Sequence, residues 1–198
     1  MKNMQSSSDK DPRFEIRIAG SGGQGVILAA IILAEAATLD GKYAAQSQTY
    51  GAEARGGMSR ADIVLSNVDI DYPWGLEFDI LVALTQEGYD QNIGELKPDG
   101  IVLADSDLVQ RTLCNKIISL PFIQIARDLH EERALNMAAL GAIAAFCPYV
   151  SRESIATIMT KRLPSSKVEI SLRAFDQCMQ SAQIPSLESL NSEKDFEI

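Results

Sequence analysis

The stretch that decides the fold is Gly20-Ser21-Gly22-Gly23-Gln24-Gly25. It follows an alternation of apolar and polar residues over 14–18, which predicts a β-strand with one polar face. It precedes residues 26–37, whose Ala, Leu and Ile content predicts a helix. A GxGxxG turn between strand and helix permits close approach of backbone amides to a phosphate at the helix N-terminus. The alternative is a tight turn that packs the helix on the strand and binds no ligand.

The rest of the chain extends this unit into an α/β domain. We expect helices at 86–96 and 131–146. A further helix is expected to be capped by Ser151, and another to start near Ser165. Short, mostly apolar runs predict further strands at 42–48, 58–66, 78–84, 101–104 and 117–120. We therefore predict a single Rossmann-like domain, 13–182, with a mostly parallel sheet and a helical C-terminal part. Residues 1–12 are predicted to be a disordered leader and 183–198 an acidic, loosely held tail.

The composition excludes several classes of function. Of 198 residues, 46% are apolar and 23% charged, as in globular proteins. Eighteen Lys and Arg stand against 27 Asp and Glu, and a net charge of −9 disfavours binding to nucleic acid. The longest apolar runs, 26–34 and 137–147, fall short of the ~20 residues that span a membrane. With no apolar segment near the N-terminus, we expect a cytoplasmic protein that makes no contact with a membrane.

The sequence gives little support for a metal site or a catalytic nucleophile. Cys114, Cys147 and Cys178 are widely spaced and form no CxxC pair, so each is expected to be a small core residue. His130 is the only histidine, which excludes paired-histidine metal sites, and we expect it solvated or capping near a helix end. The segment Asp69-Ile70-Asp71-Tyr72-Pro73-Trp74 is expected to be a turn with exposed acids, where Trp74 anchors packing or an interface. No metal ligand set is predicted.

The ligand of the glycine-rich turn is a separate question. A dinucleotide site needs Asp or Glu at the end of the second strand to bind the ribose. Residues 45–48 read Ala-Gln-Ser-Gln, and Asp40 lies before that strand. A P-loop is excluded because Val26, and not Lys-Ser/Thr, follows Gly25. A nucleotide-dependent dehydrogenase is thus poorly supported.

A second glycine-rich stretch is Tyr50-Gly51-Ala52-Glu53-Ala54-Arg55-Gly56-Gly57. Its glycines surround one acid and one arginine next to a strand end, where α/β proteins place their sites. The alternative is a flexible, exposed loop with solvated charges.

Together, the two motifs resemble the gamma subunit of 2-oxoacid:ferredoxin oxidoreductases. The matching stretches are 17–26 and 47–57, with weaker similarity at Leu96-Lys97-Pro98-Asp99-Gly100 and Asn136-Met137-Ala138-Ala139-Leu140-Gly141. The resemblance spans about residues 14–180, and Ile70-Asp71-Tyr72-Pro73 looks most like the 2-oxoglutarate branch.

The resemblance implies a subunit of a complex that oxidatively decarboxylates a 2-oxoacid, acylates coenzyme A and passes electrons to ferredoxin. It implies that thiamine diphosphate and iron–sulfur clusters lie on partners, namely thiamine-binding alpha and beta subunits and a ferredoxin-like delta subunit. This chain would hold no catalytic residue and would be inactive alone.

The same resemblance assigns roles to the two motifs. Gly20, Ser21, Gly22, Gly23, Gln24 and Gly25 are expected to face the phosphates of coenzyme A, although no Lys follows them to bind a pyrophosphate. Near the shared active site we expect Tyr50, Gly51, Glu53, Arg55, Gly56 and Gly57. The alternative function is a free-standing oxidoreductase with its own dinucleotide.

Overall fold

The computed structural model describes residues 13–50, 57–113 and 116–192. Its strands are β1 (Phe14–Ser21), β2 (Tyr43–Tyr50), β3 (Met58–Ser66), β4 (Phe78–Ala83), β5 (Leu96–Asp105) and β6 (Ile117–Leu120). Its helices are α1 (Val26–Leu39), α2 (Gln86–Asn92), α3 (Phe122–Asp128), α4 (Leu135–Phe146), α5 (Arg152–Arg162) and α6 (Ser165–Ser192). The predicted leader, 1–12, lies outside the described residues, as do 193–198.

The strands form one six-stranded sheet in the order β2-β3-β1-β4-β5-β6. Strands β1, β4, β5 and β6 pair in parallel, whereas β3 runs antiparallel to both of its neighbours, β1 and β2. The α/β class is confirmed. The sheet is mixed rather than uniformly parallel, because β3 returns between the first two strands of the chain.

The two faces of the sheet carry cores of different size. Alternate residues of each strand point to opposite faces, so Ile16 and Ile18 enter the larger core beneath α1, α3, α4, α5 and α6. On the other face, Ala19 joins a smaller cluster beneath α2, which is anchored by Tyr89. Helix α1 is apolar on nearly all sides, as expected of a helix packed between a sheet and other helices.

The polar face of β1 is buried, whereas the polar face of a strand usually lies in solvent. Arg17 is 2% exposed, and its Nε and Nη2 donate to the two carboxylate oxygens of Asp62 on β3 at 2.7 and 2.8 Å. Its Nη1 donates to Asn92 and Glu95, and the ring of Phe78 lies 3.9 Å from the guanidinium. Burial lowers the pKa of Arg17, but the hydrogen bonds and charge of Asp62, aided by Glu95, hold it above its ordinary value.

The described cysteines are core residues. Cys147 and Cys178 are 5% and 0% exposed, and burial raises their pKa to about 11 and about 12. A thiol with such a pKa is protonated at neutral pH and is a poor nucleophile. Cys114 lies outside the described residues. His130 is exposed, directly after α3, and adopts φ 54°, so it ends that helix in the left-handed conformation.

The connection between β3 and β4 is exposed, as expected. Tyr72 and Trp74 are 48% and 52% exposed, and Asp69 is also exposed. Among the described residues, no three His, Cys, Asp or Glu side chains come close enough to hold a metal ion. No described helix has the length and apolar character that crossing a membrane requires.

Candidate functional site

The first glycine-rich motif lies at the carboxyl end of β1, where the sheet changes direction. The chain leaves β1 through α1 toward β2 and β3, and it leaves β4 through α2 toward β5 on the other side. The two helices cover opposite faces, so a crevice opens between the carboxyl ends of β1 and β4. Open α/β sheets bind their ligands at such switch points.

The side chain of Gln24 holds the turn in place. Its Oε1 accepts a hydrogen bond from the Ser21 amide at 2.7 Å, and its Nε2 donates to the Leu84 carbonyl at 3.4 Å. A Cβ on Gly20 would overlap the same Gln24 oxygen. Both ends of the Gln24 amide are therefore engaged within the chain, and its role as a ligand contact stays a prediction.

The two motifs meet in space. The Gly22 amide donates to the Gly57 carbonyl at 2.9 Å, next to the β1–β3 pairing of Ser21 with Met58. Gly22 itself is exposed. Of the second motif, only Gly57 and the backbone of Tyr50 are described; Gly51, Glu53, Arg55 and Gly56 lie outside the described residues.

Gly25 and Asn136 form the far side of the turn. Gly25 caps α1 with φ 75°, a conformation that favours glycine, and a Cβ there would overlap the Asn136 amide. Asn136, 2% exposed on α4, donates through Nδ2 to the Gly25 carbonyl at 3.1 Å. The sequence marked Asn136 only by family resemblance; its 111-residue separation from Gly25 is invisible to local patterns.

The turn leaves a group of backbone donors unpaired. Within the described residues, the amides of Gly23, Gly25 and residues 26–28 donate to no acceptor, since the first helical bond runs from Ala29 to Gly25. Helix α2, in contrast, is capped by the Thr85 side chain. Gly23 has φ 93° and open space where a Cβ would stand. Free amides at an uncapped helix N-terminus form a site suited to a phosphate or carboxylate.

The geometry argues against the dinucleotide alternative. In a dinucleotide fold the second strand lies directly beside the first, but here β3 separates them, so the end of β2 is roughly 10 Å from β1. Asp40 is also engaged elsewhere: it accepts hydrogen bonds from the Ser151 amide at 2.6 Å and from the Ser154 hydroxyl at 2.5 Å. These bonds outweigh burial and lower the pKa of Asp40.

Known proteins are similar to this chain in both sequence and fold. The 2-oxoglutarate synthase subunit KorC of Methanocaldococcus jannaschii is 39% identical over 177 residues, which cover 86% of this chain and 95% of the relative. The keto/oxoacid ferredoxin oxidoreductase gamma subunit of Geobacter sulfurreducens has a TM-score of 0.77 at 39% identity, covering 86% of this chain and 99% of that one.

A longer protein contains the same fold. The 2-oxoglutarate:ferredoxin oxidoreductase of Magnetococcus marinus, with 2-oxoglutarate, coenzyme A and succinyl-CoA bound, has a TM-score of 0.80 at 25% identity, covering 89% of this chain and 32% of that one. Residues 15–181 match the profile of the family described as Pyruvate ferredoxin/flavodoxin oxidoreductase. The chain therefore belongs to the pyruvate ferredoxin/flavodoxin oxidoreductase family, among its gamma subunits.

Proposed function

We propose that this chain is the gamma subunit of a 2-oxoglutarate:ferredoxin oxidoreductase and that its glycine-rich turn binds a phosphate of coenzyme A. The observation that carries the proposal is the group of unpaired amides at Gly23, Gly25 and the start of α1. The choice of substrate is supported by the relatives, which include a 2-oxoglutarate synthase subunit and a protein with coenzyme A bound.

The residues of this chain bind and orient rather than react. The amides at the turn and the positive end of the α1 dipole would bind a phosphate dianion. Gln24 and Asn136 hold those amides in position through side-chain hydrogen bonds to the turn. Coenzyme A supplies the thiol that accepts the acyl group. The side chains of the described turn, 20–25, are not ionisable, and we assign the turn no role as a general acid or base.

The remaining chemistry is assigned to other subunits. Thiamine diphosphate would be held by alpha and beta subunits and iron–sulfur clusters by partners, with ferredoxin as the electron acceptor. Two of the three cysteines of this chain are buried in its core, apart from each other along the sequence. The second motif, 50–57, is proposed to lie near the shared active site, and the complex is proposed to be cytoplasmic.

The isolated chain is expected to be catalytically silent, whereas the complex is active. The purified chain is assayed for viologen reduction with 2-oxoglutarate, coenzyme A and thiamine diphosphate, beside the complex obtained by co-expression with its partners. Activity that appears only in the complex and depends on both 2-oxoglutarate and coenzyme A supports the proposal. Turnover by the chain alone, or by the complex without coenzyme A, would contradict it.

Gly22→Ala is expected to raise the KM of the complex for coenzyme A by about one to two decades. Gly22 is exposed and is not among the glycines with a positive φ, so its backbone does not require glycine on that ground. A methyl group next to the unpaired Gly23 amide is expected to obstruct a phosphate that approaches the turn. A charge-assisted hydrogen bond is worth about 1.5–3 kcal/mol, and each 1.4 kcal/mol is tenfold in affinity.

The matched control is Gly94→Ala, at an exposed glycine where a Cβ meets open space far from the turn. Both variants must first assemble and retain the circular dichroism of the parent. An unchanged KM for coenzyme A in Gly22→Ala means that the turn is purely structural.

A further inference from the structure

Arg60 is a cation without a partner in the sheet. It lies on β3, directly opposite Ala19 of β1 and Thr49 of β2. The side chain is half-buried, its Nε is fully buried, and its guanidinium makes no hydrogen bond or ion pair with any described residue. Arg17, on the same face one row along, has every arm of its guanidinium bonded.

An unpaired, half-buried guanidinium is an unusual feature of a folded chain. It carries five N–H donors, and withdrawing them from water without acceptors costs free energy. The chain as a whole is acidic, with a net charge of −9, yet none of its described carboxylates reaches Arg60. No residue of the part of the chain that the structure describes supplies the missing acceptor.

The strand beside Arg60 on the outer side of the sheet is uncharged and has an open edge. Strand β2, Tyr-Ala-Ala-Gln-Ser-Gln-Thr-Tyr, contains no charge and no proline, and among the described strands none pairs with its outer edge. Ser47 and Thr49 share the face of Arg60. Ser47 is half-buried and Thr49 is exposed, because the helix on this face, α2, packs over β1, β3 and β4. Exposed edge strands of stable monomers usually carry lysine, proline or a bulge, and β2 lacks all three.

We infer that the open edge of β2 and the face around Arg60 form a docking surface on which another subunit of the oxidoreductase complex places a carboxylate against Arg60. The inference rests on the proposed function, which requires partner subunits. A carboxylate matches the fork of a guanidinium with two parallel hydrogen bonds. An added strand would satisfy the free backbone groups of β2 at the same time.

Two observations favour a partner protein over a small ligand or a second copy. Arg60 lies on the face of α2, whereas α1 and the unpaired amides of the glycine-rich turn belong to the opposite face. We therefore assign Arg60 to a different ligand from the phosphate at that turn. Two copies joined through β2 would supply no carboxylate to Arg60 from that strand, since β2 contains no acid.

The test compares the affinity of this chain for the remaining co-expressed subunits, measured by biolayer interferometry. Arg60→Gln is expected to raise Kd about ten- to a hundredfold, because a hydrogen bond to a charged group is lost. Arg60→Lys should fall in between, since an ammonium cannot form the bidentate pair. Thr49→Glu should weaken binding as Arg60→Gln does, because it supplies a carboxylate from directly across the strand pair.

The controls separate docking from folding and from ligand binding. The melting temperature of the isolated chain should not fall in Arg60→Gln, because Arg60 makes no hydrogen bond or ion pair with any described residue. Arg173→Gln, at an exposed arginine on α6, should leave Kd unchanged. An unchanged Kd in Arg60→Gln overturns the inference. So does an Arg60→Gln chain that assembles normally but raises the KM of the complex for coenzyme A, which would make Arg60 a ligand contact. A dimer of this chain that Arg60→Gln dissociates would also overturn it. If the parent chain binds no partner subunit at all, the proposed function fails together with it.

Discussion

Replacing Arg17 by methionine is expected to destabilise the folded chain by about 3–5 kcal/mol, the usual cost of removing one partner from a buried ion pair. Methionine fills much of the arginine stem's volume, so the loss is chiefly electrostatic. Asp62 would remain 8% exposed without the two hydrogen bonds that Arg17 donates to it. The measurement is the free energy of unfolding in urea, followed by far-ultraviolet circular dichroism.

A matched surface pair isolates the effect of burial. Arg152 makes the same two-bond contact with Asp176, at 2.8 and 2.7 Å, but both side chains are substantially exposed. Arg152→Met should cost less than about 1 kcal/mol, as exposed ion pairs do. The double variant Arg17→Met/Asp62→Leu should recover a large part of the loss, because no buried charge is left unpaired. Equal losses in Arg17→Met and Arg152→Met would contradict this account.

Local sequence patterns predicted the elements that depend on local physics. Strands β3 and β6 were predicted with the bounds that the structure shows, since an apolar run between turn residues specifies each of them. Helix α1 begins at Val26 as predicted, because glycines end directly before it. Ser151 caps α5 by accepting a hydrogen bond from the Ser154 amide at 3.2 Å, also as predicted.

Other features depend on contacts that a local pattern does not contain. The position of β3 between β1 and β2 reflects which strand edges meet, and the alternation within each strand is the same in any order. Helix α3 was missed because it has only seven residues and follows Pro121 without a side-chain cap. Helix α6 begins at Ser165, where a helix was expected, and continues to Ser192; the loosely held tail from 183 stays a prediction.

The sequence predicted where the glycine-rich turn lies in the fold, but not which hydrogen bonds hold it in place. The strand–GxGxxG–helix order was sufficient to place the turn at the end of β1. That Gln24 binds its own loop depends on Leu84, which is sixty residues away. Arg60 carries no motif at all, and only the register of β3 between two other strands places it opposite Ala19 and Thr49.

Gly141→Ala is expected to destabilise the chain by about 3 kcal/mol, at the upper end of the usual cost of overpacking a core. Gly141 lets α4 and α6 approach closely: a Cβ there would overlap the Phe175 carbonyl oxygen and stand 2.9 Å from its carbon and 3.0 Å from the Met179 amide nitrogen. All three atoms are backbone, so relief requires moving a helix rather than a side chain. Helical propensity favours alanine by about 1 kcal/mol and cannot compensate for the overlap.

Calorimetry of the isolated chain measures the effect of Gly141→Ala. At about 2–4 °C per kcal/mol for a domain of this size, the melting temperature should fall by about 6–12 °C. Gly94→Ala is the control, since a Cβ there has no neighbour within 4 Å, and its melting temperature should change little. Because α4 also carries Asn136, a displaced α4 should loosen the Gly25 turn, and the complex should then show a raised KM for coenzyme A. If the Gly141→Ala chain were as stable as its parent, α4 and α6 could move apart at little cost in free energy. Their close approach at Phe175 would then contribute little to the stability of the fold.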